Sequence, residues 1–486
     1  MTGDKRLSGA KRLLGVVGAP RLGIVASIVA SIVAFLGVIG NANAQSQDDR
    51  FAVPSRPGLF SGGIGSFNPF RGSPAAPAGP ASKDDWSGDS GSSGHPLMQA
   101  DAIRAAAANF PSCIAGFWPD AARRGVTRAT FDTYTAGLTP DLKIMDFVDA
   151  QPEFTKAFWE YLDILVSDAR IKRGREILAA NKATFDAVEK AYGVDRHIVA
   201  AIWGIESNYS TAIGDRPVLR STATLACVGR RQAYFKDEFL STLEILNRGD
   251  VDPDRLKGSW AGAFGPTQFM PTAFKRYAVD FDGDGRRDVV DSIPDLVAST
   301  ANNLKLDGWK AGESWGYEVV VPAGFNYLLA DSAHPMTVRE WERRGLTRAG
   351  GKAFPRLTDK AYLLVPAGAR GPAFLMLGNF HTIMKYNPAE AYALAIGHLA
   401  DRLRGDPPFV QAWPRDERVL TSAERLEFQQ LLVALGYDIG SEPNGRINAG
   451  TRKALKSYQV AGGLVPDGFA TAGLLDRLRQ DGMARR

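Results

Sequence analysis

Cysteine is nearly absent from this chain of 486 residues, where only Cys113 and Cys227 occur. With no paired-cysteine cluster and no H-E-x-x-H run, a catalytic zinc site has no donor set. Histidine is also scarce. The five present stand in no Ser/His/Asp context, and His95 lies in a low-complexity stretch, so nucleophilic Ser/His catalysis is unsupported. Net charge is low too. The formal charge is +5, but the first 44 residues carry Lys5, Arg6, Lys11, Arg12 and Arg21 against Asp4. The rest of the chain is therefore close to neutral and has no basic footprint for nucleic acid. What remains, 45% hydrophobic and 23% charged, is ordinary for a globular protein long enough for two or three domains.

The N-terminus reads as a secretory signal. Basic residues precede an apolar run from Leu22 to Ile39, and Ala42-Asn43-Ala44 follows as an A-x-A site, which predicts cleavage before Gln45. The alternative is retention of the run as a membrane anchor. No cysteine follows the run, which argues against a lipid anchor. Export favours a disulfide between Cys113 and Cys227, the alternative being two buried thiols.

Residues 45–96 are rich in Gly, Ser and Pro and predict a flexible linker. From about Pro96 to Leu403 apolar residues recur at helical spacing, as in Phe154–Leu162 and Lys182–Val188. Asp195 is placed to cap a helix through Ile198, Ile202 and Ile205, and another helix should follow Asn387-Pro388. Glu318–Val321 and Tyr362–Val365 read as strands. A Pro-rich stretch, 406–416, then separates a last small unit, 417–482.

Chemistry is concentrated in three segments. On a helix, Glu206 follows Ile202 and Trp203 by one turn and Ile198 and Val199 by two, which puts a carboxylate on an apolar face. Burial there disfavours ionisation and suits a general acid at neutral pH; the alternative is a buried ion pair with Arg216 or Arg220. The second segment, Gly258–Pro271, mixes glycines that allow close backbone approach with Trp260, Phe264, Gln268 and Phe269. That combination fits sugar rings, or else a plain helix-connecting loop. The third is Asp280–Asp291. Asp280, Asp282, Asp284, Asp288 and Asp291 occupy positions 1, 3, 5, 9 and 12 of an EF-hand-type loop, with Gly285 at 6 and the Arg286 carbonyl at 7. Position 12 is Asp where Glu is usual, and Asp295 lies close enough to substitute. The expected cofactor is a structural Ca2+, with no organic cofactor; the alternative is a solvated acidic turn.

Taken together, Ile205-Glu206-Ser207-Asn208-Tyr209, Gly262–Pro271, the acidic loop after Tyr277-Ala278-Val279, and Lys385-Tyr386-Asn387-Pro388 with Tyr392-Ala393-Leu394-Ala395 resemble the membrane-bound lytic murein transglycosylase B family, in the same order. The resemblance implies a mainly α fold: a lysozyme-like catalytic domain over 97–405 with a small β patch. It implies Glu206 as the single acid/base, a metal-bound loop, and substrate-groove roles for Ser259, Gln268, Tyr386 and Tyr392. Ser207, Tyr209 and Phe269 join that set from the same motifs. Ser210 stands where the family often has Gly. The last unit, with Phe428-Gln429-Gln430, Leu435-Gly436-Tyr437, Gly445, Tyr458-Gln459 and Gly468, resembles the small three-helix peptidoglycan-binding domain. It departs at Asn444–Asn448, where an Asp-Gly-x-x-Gly turn is usual.

A glycosidase commonly uses two carboxylates. One suffices when the substrate's own C6 hydroxyl attacks, so the resemblance implies cleavage between N-acetylmuramic acid and N-acetylglucosamine with formation of a 1,6-anhydro end. The partner is then the glycan strand of peptidoglycan and the compartment the periplasm. The rivals are a hydrolase of the same bond with Asp215 as the second carboxylate, and a non-catalytic wall-binding scaffold.

Overall fold

The computed structural model describes residues 86–91, 94–148 and 157–484. The expected signal segment, and the linker up to residue 85, lie outside the described residues. The described residues are mainly helical, at 53% helix and 6% strand.

Four short helices open the described chain: α1 (Ala100–Ala108), α2 (Phe110–Ala115), α3 (Trp118–Arg123) and α4 (Arg128–Thr135). They are too short to be stable alone. Phe110, Ile114 and Phe131 pack with Phe239 and Leu243 from a later helix to form their core. A disulfide joins Cys113 to Cys227, 114 residues apart in sequence.

The central body contains α5 (Phe158–Leu165), α6 (Asp168–Ala180), α7 (Lys182–Tyr192), α8 (Arg196–Ser207), α9 (Val218–Cys227), α10 (Gln232–Arg248), α11 (Pro271–Tyr277) and α12 (Ile293–Leu306). Asp195 caps α8 as expected, accepting the His197 amide at 2.8 Å. Every residue of α8 from Ile198 to Ser207 is buried. Such an all-round apolar helix belongs at the centre of a large core, and a carboxylate at its end is costly unless it is partnered.

Two strands, β1 (Arg216–Pro217) and β2 (Lys257–Gly258), form a short antiparallel ladder. Residues 316–376 build a small lobe from β3 (Gly316–Val320), β4 (Met336–Thr337), α13 (Val338–Arg343), β5 (Thr347–Arg348), β6 (Lys360–Leu364) and β7 (Ala373–Met376). The sheet order is β4-β6-β7-β3-β5, with antiparallel pairs throughout. The strands expected near Glu318 and Tyr362 are β3 and β6. β7 joins them in the middle of the sheet, which explains its uniformly buried Ala-Phe-Leu-Met sequence.

The chain returns to the body through α14 (Gly378–Tyr386) and α15 (Glu390–Arg404). Asn387 is extended before Pro388, as the proline ring requires, so the two helices cannot merge. α15 is buried from Ala391 to Ala400 and packs along α8. Gly397 of α15 makes room for Trp315, whose ring would lie 2.4 Å from a Cβ there.

Residues 406–416 lie against the body. Phe409 stacks on His398 of α15 at 3.8 Å, Trp413 packs against Trp159, and Glu318 accepts the Val410 and Gln411 amides. The last unit is α16 (Ser422–Ala434), α17 (Ala449–Ala461) and α18 (Ala472–Ala484) around Phe428, Leu432, Leu455 and Leu478. Its two halves repeat one device. Buried Gln429 accepts the amide of Gly445, and buried Gln459 accepts that of Gly468, each glycine at positive φ. The unusual Asn444–Asn448 turn is thereby held like its counterpart.

Candidate active site

Glu206 closes the last turn of α8 with 1% of its surface exposed. Tyr392, in the first turn of α15, is fully buried and donates its phenol proton to Glu206 Oε1 at 2.6 Å. The hydrogen bond favours the charged carboxylate and burial favours the neutral acid, so the group is held between opposing influences. The arginines weighed as ion-pair partners make other contacts: Arg216 pairs with Asp141, and Arg220 donates to the Thr139 and Pro140 carbonyls.

The chain leaves α8 through three consecutive left-handed residues, Asn208, Tyr209 and Ser210, at φ 49°, 56° and 72°. Each such non-glycine residue costs about 1 kcal/mol, so the turn must be held from outside. Ser207 Oγ accepts the Ser210 amide at 2.9 Å, and Trp203 Nε1 donates to Ser210 Oγ at 3.0 Å. Ser210 thus offsets its strained backbone with a hydroxyl contact that a glycine would lack. The sequence reading puts Tyr209 on the groove; the structure puts it in the core, 3% exposed. Its ring fills a slot left by two glycines, and a Cβ on Gly174 or Gly204 would lie 2.0 Å or 2.6 Å from its hydroxyl.

Gln268 ties the Gly-rich loop to the chain that follows this turn. At φ 52°, its amide donates to the Ile213 and Gly265 carbonyls, both at 3.0 Å. Phe264 and Phe269 exchange backbone hydrogen bonds at 2.9 Å and 2.8 Å, with Phe269 fully buried beneath the loop. Ser259 Oγ accepts the Ala263 amide, and the Tyr386 phenol donates to the Thr267 carbonyl at 2.5 Å. Gly214 is required here. Its φ is +90°, and a Cβ would lie 2.2 Å from the Gly258 carbonyl oxygen. Ser207, Ser259, Gln268, Phe269 and Tyr386 thus make hydrogen bonds to backbone groups of these segments, while Tyr392 is hydrogen-bonded to Glu206. Spacing along the chain cannot separate framing from contact, because both put polar residues in the same motifs.

The other fully or nearly buried carboxylates among the described residues each anchor local structure. Asp141 holds Arg216, Glu238 accepts the Thr272 amide and hydroxyl, Asp250 holds Arg287, and Asp295 accepts backbone amides. Asp215, considered above as a second carboxylate, is exposed.

In the acidic loop, Asp280, Asp282 and Asp284 bring carboxylate oxygens within 4.8 Å of one another. Three anions so close repel without a cation, and hard oxygen donors suit Ca2+. The remaining acids have other partners. Asp291 makes a two-point contact with Arg255 (2.6 and 3.1 Å), and Asp288 accepts the Val290 and Asp291 amides. Asp295, fully buried, accepts the Phe281 and Asp288 amides at 2.7 and 2.8 Å, which shapes the loop from behind. Burial pushes its carboxyl up. Asp280 also accepts the Gly283 and Gly285 amides, and Asp282 the Ser292 hydroxyl.

A helical body with a buried carboxylate on its central helix, next to a small helical wall-binding-type unit, defines a class. The transglycosylase SLT domain family model matches residues 109–401, and the chain belongs to that family; a peptidoglycan binding domain model matches 421–478. Among solved structures, SltB3 from Pseudomonas aeruginosa in complex with NAG-anhNAM-pentapeptide is 45% identical, with a TM-score of 0.73 over 76% of this chain and 99% of that one. The Escherichia coli lytic transglycosylase Slt35 in complex with calcium is 26% identical, with a TM-score of 0.52 over 61% of this chain and 92% of that one. Membrane-bound lytic murein transglycosylase B of Escherichia coli (strain K12) is 33% identical over 223 residues, 44% of this chain and 59% of that protein. The chain thus spans under two thirds of that curated relative's length. No helix among the described residues is long and apolar enough to cross a membrane.

Proposed function

We propose that this protein is a peptidoglycan lytic transglycosylase in which Glu206 is the single general acid/base. The observation that carries the reading is a buried carboxylate, gripped at Oε1 by Tyr392, on a helix buried at every residue from Ile198 to Ser207. Protonated Glu206 gives its proton to the glycosidic oxygen between N-acetylmuramic acid and N-acetylglucosamine, and the C1–O bond breaks. The carboxylate then removes the proton of the C6 hydroxyl as that oxygen bonds to C1, closing the 1,6-anhydro ring. No water is consumed, and Glu206 ends protonated as it began. With Oε1 held by Tyr392, proton transfer is directed to the other oxygen. The family membership and the anhydro-sugar complex of SltB3 support this chemistry over hydrolysis.

The domain reading follows: a signal over 1–44, a linker over 45–96, a catalytic unit over 97–405 and a wall-binding unit over 417–482, with the protein exported to the periplasm. The disulfide, which suits an oxidising compartment, supports export. Asp280, Asp282 and Asp284 would hold Ca2+, supported by their mutual approach and by the calcium complex of Slt35. The ion's contribution is to brace the loop.

The test is mass analysis of peptidoglycan incubated with residues 45–486 and with the Glu206→Gln variant. Anhydro-muramic ends from the wild type and none from the variant are expected. Reducing ends would identify a hydrolase; no release with the wall still bound would identify a scaffold.

A further inference from the structure

The C-terminal unit reaches the catalytic helix directly. Arg452, on α17, donates to Glu390 Oε2 at 2.7 Å. Glu390 is the first residue of α15, and Tyr392, the donor to Glu206, lies in the same turn. That turn has no side-chain cap of its own, since its N-cap is Ala389. Asn387 accepts the Ala389 amide at 3.2 Å just before it, and the Arg452 guanidinium holds its first residue. Both members of the ion pair line a cavity of about 510 Å³ between this unit and the body. Elsewhere this unit meets the sheet lobe: Lys456 donates to the Tyr327 and Ala330 carbonyls, and Asp467 accepts the Ala369 amide.

Resting on the function proposed above, we infer that Arg452 is a positioning residue: through Glu390 it sets the first turn of α15, and with it the Tyr392 hydroxyl that holds Glu206. The wall-binding-type unit then does more than tether the enzyme to its substrate. It completes the geometry of the acid, and a shift of α17 changes turnover without touching the groove. The physical reason is that this helix start has no side-chain cap and Glu390 stands two residues before the buried Tyr392, so the hold on the Glu390 carboxylate is passed to the Tyr392 ring within one turn. A displacement of the donor by even a fraction of an ångström weakens a 2.6 Å hydrogen bond to a reacting carboxylate.

The experiment uses the full chain from residue 45 with Arg452→Gln, Arg452→Lys, Glu390→Gln, the Arg452→Gln/Glu390→Gln double variant, and Lys456→Gln as an interface control. Anhydro-end formation from soluble glycan strands gives kcat, KM and the pH profile of kcat, and sedimentation with insoluble wall gives binding. For Arg452→Gln, kcat should fall about tenfold with KM and sedimentation unchanged and the pH profile displaced. Arg452→Lys should recover part of the loss, and the double variant should be no worse than either single one. Lys456→Gln should keep wild-type kcat. An unchanged kcat and pH profile in Arg452→Gln, with or without a loss of wall binding, overturns the inference while leaving the enzyme assignment standing. A wild-type chain that forms no anhydro ends overturns both. If Arg452→Gln is poorly folded by circular dichroism, Glu390→Gln decides, since it breaks the same contact from the other side.

Discussion

Tyr392 and Glu206 stand 186 positions apart in sequence, yet the phenol of one donates to the carboxylate of the other at 2.6 Å. The bond forms because α8 and α15, both buried on nearly all sides, pack along each other and bring the end of one to the start of the other. Through this contact the packing of two distant helices acts on the acid.

Removing that donor should therefore be felt in turnover more than in substrate affinity. A hydrogen bond to a charged group contributes about 1.5–3 kcal/mol, so Tyr392→Phe should lower kcat by roughly one to two orders of magnitude. Steady-state kinetics on soluble glycan strands would check this, with KM changing little. An unaltered kcat would remove Tyr392 from the site.

Gly214→Ala tests the close approach of Gly214 to Gly258. The new Cβ would meet the Gly258 carbonyl at 2.2 Å in a backbone region, φ +90°, that alanine avoids. A destabilisation of about 3 kcal/mol or more is expected, measured as a lower midpoint in urea with the slope unchanged. A glycine such as Gly283, with no atom near its Cβ position, should tolerate the same change better.

Calcium should stabilise the folded chain. A ligand that binds only the native state, present at a hundredfold over its Kd, adds about 2.7 kcal/mol, which thermal scans with and without a chelator would detect. Asp282→Asn should abolish the calcium-dependent part of the shift. Asp291→Asn, which breaks the Arg255 contact but leaves the three-carboxylate cluster, should retain most of it.

Acid titration should show two opposed contributions from α15. Burial, only partly offset by Arg404 and Trp315, pushes the Asp401 carboxyl up to about 6. Its stabilising effect is full below the unfolded value near 3.8 and is lost as pH rises through about 6. Burial and the charge of Arg402 push His398 down to about 3, so its contribution is full above about 6.5 and is lost as pH falls toward 3. Between pH 6.5 and 4, His398→Gln should leave a chain that gains stability on acidification, and Asp401→Asn one that loses it. Urea midpoints at several pH values would check both slopes. Parallel slopes in the two variants would refute the assignment.

Much of this protein is legible in its sequence, and for a local reason. Helical spacing from Ile198 to Glu206, the cap at Asp195, the proline after Asn387 and the acidic loop are all decided within a few residues, so α8, α15 and the loop can be read from the chain alone. The mainly helical class follows in the same way. What spacing could not decide was which motif residues touch and which merely frame. Tyr209 belongs to the core because Gly174, on another helix, leaves room for its hydroxyl. Asp295 shapes the acidic loop from beneath because its burial turns both oxygens toward backbone amides. β7 escaped notice because a central strand, buried on both faces, shows no alternation. The bonds from Tyr392 to Glu206 and from Arg452 to Glu390 join segments far apart in the chain, and only the packing of α8, α15 and α17 decides them. Local propensity operates over one or two turns, whereas the choice of partner for a buried charge is made by whatever the core brings within 3 Å of it.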